Sequence, residues 1–174
     1  MVQALQHGQK FPHSIRVGVV DHKMINAFAL PGGHIIVMRG LIEMAETPEQ
    51  LAAVIAHELG HVAQRDPIEQ ALRAAGTAGL LSLVLGDATG GAVLTLVGKH
   101  LISAKNSRDV EARADDFALA QMAKAGVSPE ALVEFFELLL QEMGDPAFDM
   151  GWISSHPPSV ARAAHARAAV QTVR

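Results

Sequence analysis

The segment His57-Glu58-Leu59-Gly60-His61 places two histidines four residues apart with a glutamate between them. On an α-helix, residues i and i+4 lie on one face, so both imidazoles can reach one metal ion. Glu58 lies about 100° round the helix from His57, so it can approach a water molecule on that metal without being a ligand. Zinc lowers the pKa of such a water to about 7, and a carboxylate can then act as general base. The segment therefore predicts a catalytic zinc site, and two surface histidines on an apolar helix are the alternative.

A catalytic zinc needs a third protein ligand and one open position. Several spacings do not fit: the chain has Gln64 and Pro67 where one pattern requires Gly and His, and Leu80 where another requires Glu. An acidic ligand on a later helix remains, and Glu111 and Asp115 lie four residues apart on one predicted helix face. One can bind zinc while the other accepts the second ring proton of a ligand histidine. Spacing leaves this assignment open, and a solvated acidic stripe is the alternative.

The amino-acid composition excludes several classes of protein. The chain has 174 residues, of which 49% are hydrophobic and 18% charged, which suffices for a folded core and argues against intrinsic disorder. Its formal net charge is −4, without the basic excess typical of nucleic-acid-binding proteins. It has no cysteine, which excludes disulfide scaffolds, thiolate zinc sites and cysteine catalysis. We expect one domain over residues 1–174, with residues 1–12 as a linker or disordered segment.

The elements that must position these residues follow from local patterns. Apolar runs at 14–20, 25–30 and 34–38 predict strands of a small antiparallel sheet, with a turn at Pro31-Gly32-Gly33. From Thr47 onward the pattern is helical. Helix starts are predicted at Thr47-Pro48, Asp66-Pro67, Ser107, Ser128-Pro129 and about Ser159. The expected fold class is therefore α+β and mainly α-helical.

The most apolar stretch runs from Ala74 to Leu101 and is interrupted by Asp87 within a glycine-rich turn. The uncharged pieces on either side are each shorter than the roughly 20 residues that a spanning helix needs. We predict two buried or lid-like helices joined by this turn, and a membrane-touching hairpin is the alternative. Residues 1–10 lack the apolar run of a signal peptide.

Four segments together resemble the M48 metallopeptidases. They are Asn26–Gly33 (NAFALPGG), His57–His61 (HELGH), Glu111–Asp115 (EARAD) and Ser155–Pro158 (SHPP). The resemblance implies a gluzincin-like zincin domain of the soluble branch, with one Zn²⁺ bound by His57, His61 and Glu111. It also implies that Glu58 is the general base and that Asp115 orients a ligand. The second proline of SHPP departs from the usual Ser/Thr-His-Pro-Ser run of the family.

Peptide hydrolysis builds negative charge on the carbonyl oxygen, and a hydrogen-bond donor commonly stabilises that charge. Many zinc peptidases use tyrosine, which this chain lacks. His156, which two prolines follow, is the predicted substitute, and a capping or surface histidine is the alternative. Arg162 is a weaker candidate for an oxyanion or substrate contact, with a salt bridge as the alternative.

Substrate binding is predicted at the second strand. If this strand lies at a sheet edge, an extended peptide can pair with its backbone, and main-chain hydrogen bonds then give affinity with little sequence specificity. Asn26, Ala27 and Phe28 would line that cleft. An internal strand is the alternative.

These observations favour a zinc metalloendopeptidase that cleaves unfolded or extended polypeptides in protein quality control. The resemblance suggests the bacterial cell envelope or periplasm, with proximity to a membrane. The alternative is a latent zinc-containing chaperone or binding module with a blocked cleft. We expect no nucleic-acid partner, and no residue predicts the oligomeric state.

Overall fold

The computed structural model describes residues 1–85, 107–142, 155–156 and 160–173. Its strands are β1 (Arg16–Val20), β2 (Ala27–Leu30) and β3 (His34–Met38). Its helices are α1 (Val2–Leu5), α2 (Arg39–Met44), α3 (Pro48–Gln64), α4 (Asp66–Leu85), α5 (Arg108–Lys124), α6 (Glu130–Glu142) and α7 (Val160–Val173). The predicted α+β, mainly helical class is confirmed.

The helix starts follow the sequence signals. Thr47 Oγ1 accepts a hydrogen bond from the backbone N–H of Gln50 at 3.2 Å, and Pro48 occupies the first helical position of α3. Ser107 Oγ accepts from the backbone N–H of Val110 at 3.4 Å and caps α5 in the same way. These caps fix the first turns of the two helices that carry the candidate ligands.

The sheet differs from the predicted antiparallel arrangement. Its strand order is β1-β3-β2, with β2 antiparallel to β3 but β1 parallel to β3. The loop from β1 to β2 therefore crosses the end of β3, and Gly40 makes that crossing possible. A Cβ on Gly40 would lie 2.0 Å from the carbonyl oxygen of Lys23, so any side chain there would block the loop. Such a long-range crossing has no local sequence signal.

The N-terminal residues also differ from the expectation of a linker. Residues 2–5 form α1, and Leu5 is completely buried against the core. Val2 is partly buried beside the same core, so one apolar helical turn is enough to anchor this end of the chain. The short helix α2 was not predicted, and no side chain caps it.

Helix α3 lies at the centre of the core. Every residue from Ala52 to Val62 is buried, so this helix has no solvent-facing side over three turns. Apolar residues of α5, α6 and α7 pack around it, among them Met122, Phe135 and Ala166. The polar side chains of the HELGH segment are therefore also buried, and burial of polar groups is costly unless they have partners.

The predicted helix at the start of the apolar run is present as α4, which extends to Leu85. The glycine-rich turn and the second apolar piece lie outside the described residues. Among the helices described, none combines the length and apolarity needed to cross a membrane.

Candidate metal centre

Four buried side chains converge in the core: His57 and His61 from α3, Glu111 from the first turn of α5, and His156. Each offers one atom that could ligate a metal, and these four atoms all lie within 4.8 Å of one another. The i, i+4 spacing on α3 brings the two rings side by side, as the sequence pattern predicts.

Gly60 sets the distance between the two helices that carry the cluster. A Cβ on Gly60 would lie 2.9 Å from Cα and 3.0 Å from the carbonyl oxygen of Ala114. Ala114 lies between Glu111 and Asp115 in the sequence of α5. The absence of a side chain at Gly60 therefore allows α5 to approach closely enough for its carboxylates to reach the histidines.

The separations of the candidate ligand atoms fit a zinc ion. His57 Nε2 lies 3.0 Å from His61 Nε2 and 3.4 Å from Glu111 Oε2. His61 Nε2 lies 3.6 Å from Glu111 Oε1. A tetrahedral ion with bonds of about 2.0–2.1 Å separates its ligand atoms by about 3.3 Å. The three side chains thus have both the chemistry and the spacing of a zinc-binding triad.

A carboxylate faces the other ring nitrogen of each histidine. His57 Nδ1 lies 2.9 Å from Asp115 Oδ1, and His61 Nδ1 lies 2.8 Å from Asp66 Oδ2. The contact at His61 has hydrogen-bond geometry, and an Nδ1–H that donates there leaves Nε2 as the metal-binding nitrogen. The local sequence around Asp66 signals only a helix start and does not indicate this role.

Arg162 closes the cluster from α7. Its Nε and Nη2 donate to the two oxygens of Asp115 at 2.8 and 2.7 Å, and its Nη1 lies 2.8 Å from Glu111 Oε2. The guanidinium also lies over the ring of Phe136, 4.8 Å from its centroid. This geometry favours the salt-bridge alternative over a substrate contact, because all three guanidinium nitrogens face carboxylates of the cluster.

The electrostatics of the cluster favour positive charge at its centre. Burial opposes protonation of His57, but the carboxylates of Asp115 and Glu111 outweigh it and raise the pKa of His57 to about 9. Burial also opposes ionisation of Glu111, yet the neighbouring His156 and His57 hold the pKa of Glu111 far below its usual range. The pKa of Asp115 is lowered despite burial, chiefly by the hydrogen bonds from Arg162. Both carboxylates are therefore in the ionised form that binds a cation.

Glu58 lies beside this cluster but contacts it differently. It is fully buried, and within the described parts of the chain neither of its carboxylate oxygens has a hydrogen-bond partner. His156 Nε2 lies 3.5 Å from its Oε1. A buried carboxylate whose oxygens accept no hydrogen bond is destabilising, and a catalytic role is one explanation for such a group.

His156 lies within contact distance of the candidate metal ligands. Its Nδ1 is 3.3 Å from His57 Nε2 and 3.1 Å from Glu111 Oε1. Its position among the ligand atoms gives it two potential roles, as a donor to the substrate or as a fourth metal ligand.

Comparison with known proteins agrees with this geometry. The sequence profile of Peptidase family M48 matches residues 1–170. The chain belongs to peptidase family M48. Within the family, it is 37% identical over 157 residues to metalloprotease YcaL of Escherichia coli, a match that covers 82% of this chain and 57% of that protein.

Two further relatives of this M48 chain are also named as proteases. Metalloprotease LoiP of E. coli is 35% identical over 153 residues, which cover 83% of this chain and 58% of LoiP. The beta-barrel assembly-enhancing protease of E. coli is 26% identical over 170 residues, which cover 91% of this chain and 33% of that protein. The chain therefore spans less than three fifths of the length of each of these relatives.

The predicted substrate strand of this M48 chain lies at an edge of the sheet within the described residues, because β2 pairs with β3 alone. The side chains of Asn26, Ala27 and Phe28 are all buried, with exposed fractions of 9% or less. Ala27 belongs to the hydrophobic core, whereas the amide oxygen of Asn26 has no hydrogen-bond partner among the described residues.

Proposed function

We propose that this chain is the peptidase domain of a zinc metalloendopeptidase that hydrolyses peptide bonds in unfolded or extended polypeptides. The observation that carries the proposal is the buried convergence of His57, His61 and Glu111, beside the buried carboxylate of Glu58, which accepts no hydrogen bond from the described residues. Membership of family M48 and relatives named as metalloproteases support the same reaction class.

In this proposal His57, His61 and Glu111 hold one Zn²⁺, and Asp115 and Arg162 keep these ligands in place. When bound, Zn²⁺ supplies Lewis acidity that polarises a carbonyl group and lowers the pKa of water. The ligand separations and the ionised carboxylates of the cluster support this assignment.

Glu58 carries the proton transfers. Its carboxylate accepts a proton from the attacking water and later donates it to the amine that leaves when the C–N bond breaks. His156 donates a hydrogen bond from its ring to the oxygen on which negative charge develops. The distance of 3.5 Å between His156 Nε2 and Glu58 Oε1 supports the proposal that both groups act on the same peptide bond.

The backbone of β2 binds the substrate by adding it to the sheet as an extended strand. Main-chain pairing requires an unfolded or extended segment, which suits a quality-control protease. We propose that the protein acts in the bacterial cell envelope, close to a membrane, and the similarity to a relative named for β-barrel assembly in E. coli supports this location.

The variant Glu58→Gln tests the proposal. We expect it to retain zinc and to lose cleavage of an unfolded protein substrate, because Gln cannot accept the proton. Glu49→Gln, an exposed change on the same helix, is the matched control and should cleave like the native chain. Undiminished cleavage by Glu58→Gln would refute the assignment of the base.

The position of His156 supports a second candidate, a latent zinc-containing binding or chaperone module. Four side chains around one ion would close the open position that catalysis requires. The variant His156→Ala separates the candidates. If His156 blocks the site, the variant binds zinc more weakly and cleaves faster; if His156 is the oxyanion donor, zinc affinity is unchanged and cleavage is slower.

A further inference from the structure

We propose that Asp66 is a positioning residue that fixes the ring of His61 for zinc binding. This inference rests on the proposed zinc site and extends it to a residue outside the HELGH and EARAD segments. Asp66 acts through His61, so its expected effect is on zinc affinity.

The contact between the two side chains is short and buried. Asp66 Oδ2 lies 2.8 Å from His61 Nδ1, with side-chain exposures of 7% and 3%. The Nδ1–H of His61 therefore donates a hydrogen bond to the carboxylate of Asp66. In this tautomer the lone pair of Nε2 is directed at the cluster. The arrangement repeats that of Asp115 at His57, where the corresponding distance is 2.9 Å. Each histidine of the HELGH segment therefore has one carboxylate close to its Nδ1 atom.

The break between α3 and α4 creates this contact. In a continuous helix, a residue five positions after His61 would lie about 140° round the axis and about 7.5 Å along it, out of reach of the ring. Instead α3 ends at Gln64, Arg65 adopts a left-handed conformation with φ 63° and ψ 20°, and α4 begins at Asp66. A left-handed conformation is strained for arginine. The strained turn brings the carboxylate back to His61.

Among the residues that the structure describes, the side-chain hydrogen bond of Asp66 is the one with His61. Its other oxygen, Oδ1, lies 4.0 Å from Nη2 of Arg113, beyond hydrogen-bond distance. The side chain of Arg113 is 55% exposed and donates from Nε to Gln64 at 2.6 Å. The close, buried interaction of Asp66 is therefore the one with His61.

Zinc affinity of the full 174-residue chain, measured by competition with a chromogenic zinc chelator, tests the proposal. We expect Asp66→Ala to weaken zinc binding by about 10- to 100-fold, the usual cost of removing a partner of a ligand histidine. Asp66→Asn keeps an oxygen acceptor for the Nδ1–H of His61, so its loss should be smaller. Glu69→Gln, which removes an exposed charge from the same helical turn, is the matched control and should bind zinc like the native chain.

A second measurement separates positioning from general destabilisation. In the zinc-loaded native chain, the Nδ1 proton of His61 should give a low-field NMR signal that Asp66→Asn shifts and Glu69→Gln leaves in place. Unchanged zinc affinity and an unchanged signal in Asp66→Asn would overturn the role of Asp66 while leaving the zinc site intact. Equal losses in Asp66→Ala and Glu69→Gln would overturn it as well. A native chain that does not bind zinc would refute the proposed function and this role together.

Discussion

Gly60 offers a direct test of the link between helix packing and the metal centre. The substitution Gly60→Ala adds a Cβ that would lie 2.9 Å from Cα, 3.0 Å from the carbonyl oxygen and 3.3 Å from Cβ of Ala114. Ordinary contacts between carbon atoms are about 3.5–4.0 Å. Because two of the three neighbours are backbone atoms, α5 must move away from α3 by about 0.6–1 Å.

The expected effects on stability and on zinc binding differ in size. Overpacking costs about 1–3 kcal/mol, but Ala gains about 1 kcal/mol over Gly in helix propensity, so the net loss of stability is about 0–2 kcal/mol. Glu111 moves with α5, and functional groups tolerate displacements of only about 0.5 Å. We therefore expect zinc affinity to fall on the order of tenfold or more, comparable to the loss of an orienting partner.

Three measurements on each variant check this prediction: urea denaturation of the metal-free chain, zinc affinity by chelator competition, and cleavage of an unfolded protein. Gly76→Ala is the matched control, because Gly76 lies in α4 and a Cβ there would contact nothing within 4 Å. It should raise stability by about 0.5–1 kcal/mol and leave zinc binding unchanged.

Zinc binding by Gly60→Ala as tight as that by Gly76→Ala would refute this link between helix packing and the metal centre. Adding Ala114→Gly to Gly60→Ala should not restore zinc binding, because Cα and the carbonyl oxygen of residue 114 remain in the way. Full restoration by that second change would locate the clash in the side chain and contradict the proposed movement of the helix.

Further predictions concern the residues around the cluster. Glu111→Gln should lower zinc content more than Asp115→Asn, since only Glu111 is assigned as a ligand; equal zinc content by metal analysis would contradict this. Arg162→Met should destabilise the chain by about 3–5 kcal/mol in urea denaturation, because it leaves buried carboxylates without their partner. Arg65→Gly should stabilise the chain by about 0.5–1 kcal/mol, because glycine adopts a φ of 63° without strain. Arg65→Ala, which keeps the Cβ, should show no such gain, and equal stability of the two would argue against strain at this turn.

Local sequence patterns predicted most of the elements and the core of the candidate site. The capping signals at Thr47 and Ser107 were sufficient because a helix cap involves residues only a few positions apart. The spacing of His57 and His61 was sufficient for the same reason. Assigning Glu111 needed the resemblance to the family, because its approach to the histidines depends on the packing of two distant helices.

Features that depend on contacts between distant parts of the chain could not be predicted. The parallel pairing of β1 with β3 depends on a loop that crosses Gly40. The only sequence signal of this close approach between two backbone segments is the glycine itself. Arg162 pairs with Asp115 across 47 positions, and spacing alone could not separate a salt bridge from a substrate contact. The contact of Asp66 with His61 could not be predicted for another reason. It depends on the turn at Arg65 between α3 and α4, whereas the local sequence indicates only that a helix begins at Asp66.

The charges of the cluster link metal binding to folding. The carboxylates of Glu111 and Asp115 are both buried, and the buried cation among the described residues that contacts both of them is Arg162. When the histidines are neutral, as zinc ligation requires, these three groups leave an excess of one negative charge in the core. Burial of uncompensated charge is strongly destabilising, so protons or a divalent cation must offset part of it. In the proposed site, Zn²⁺ would supply two positive charges near these ligand atoms, so its binding free energy would add to the stability of the fold.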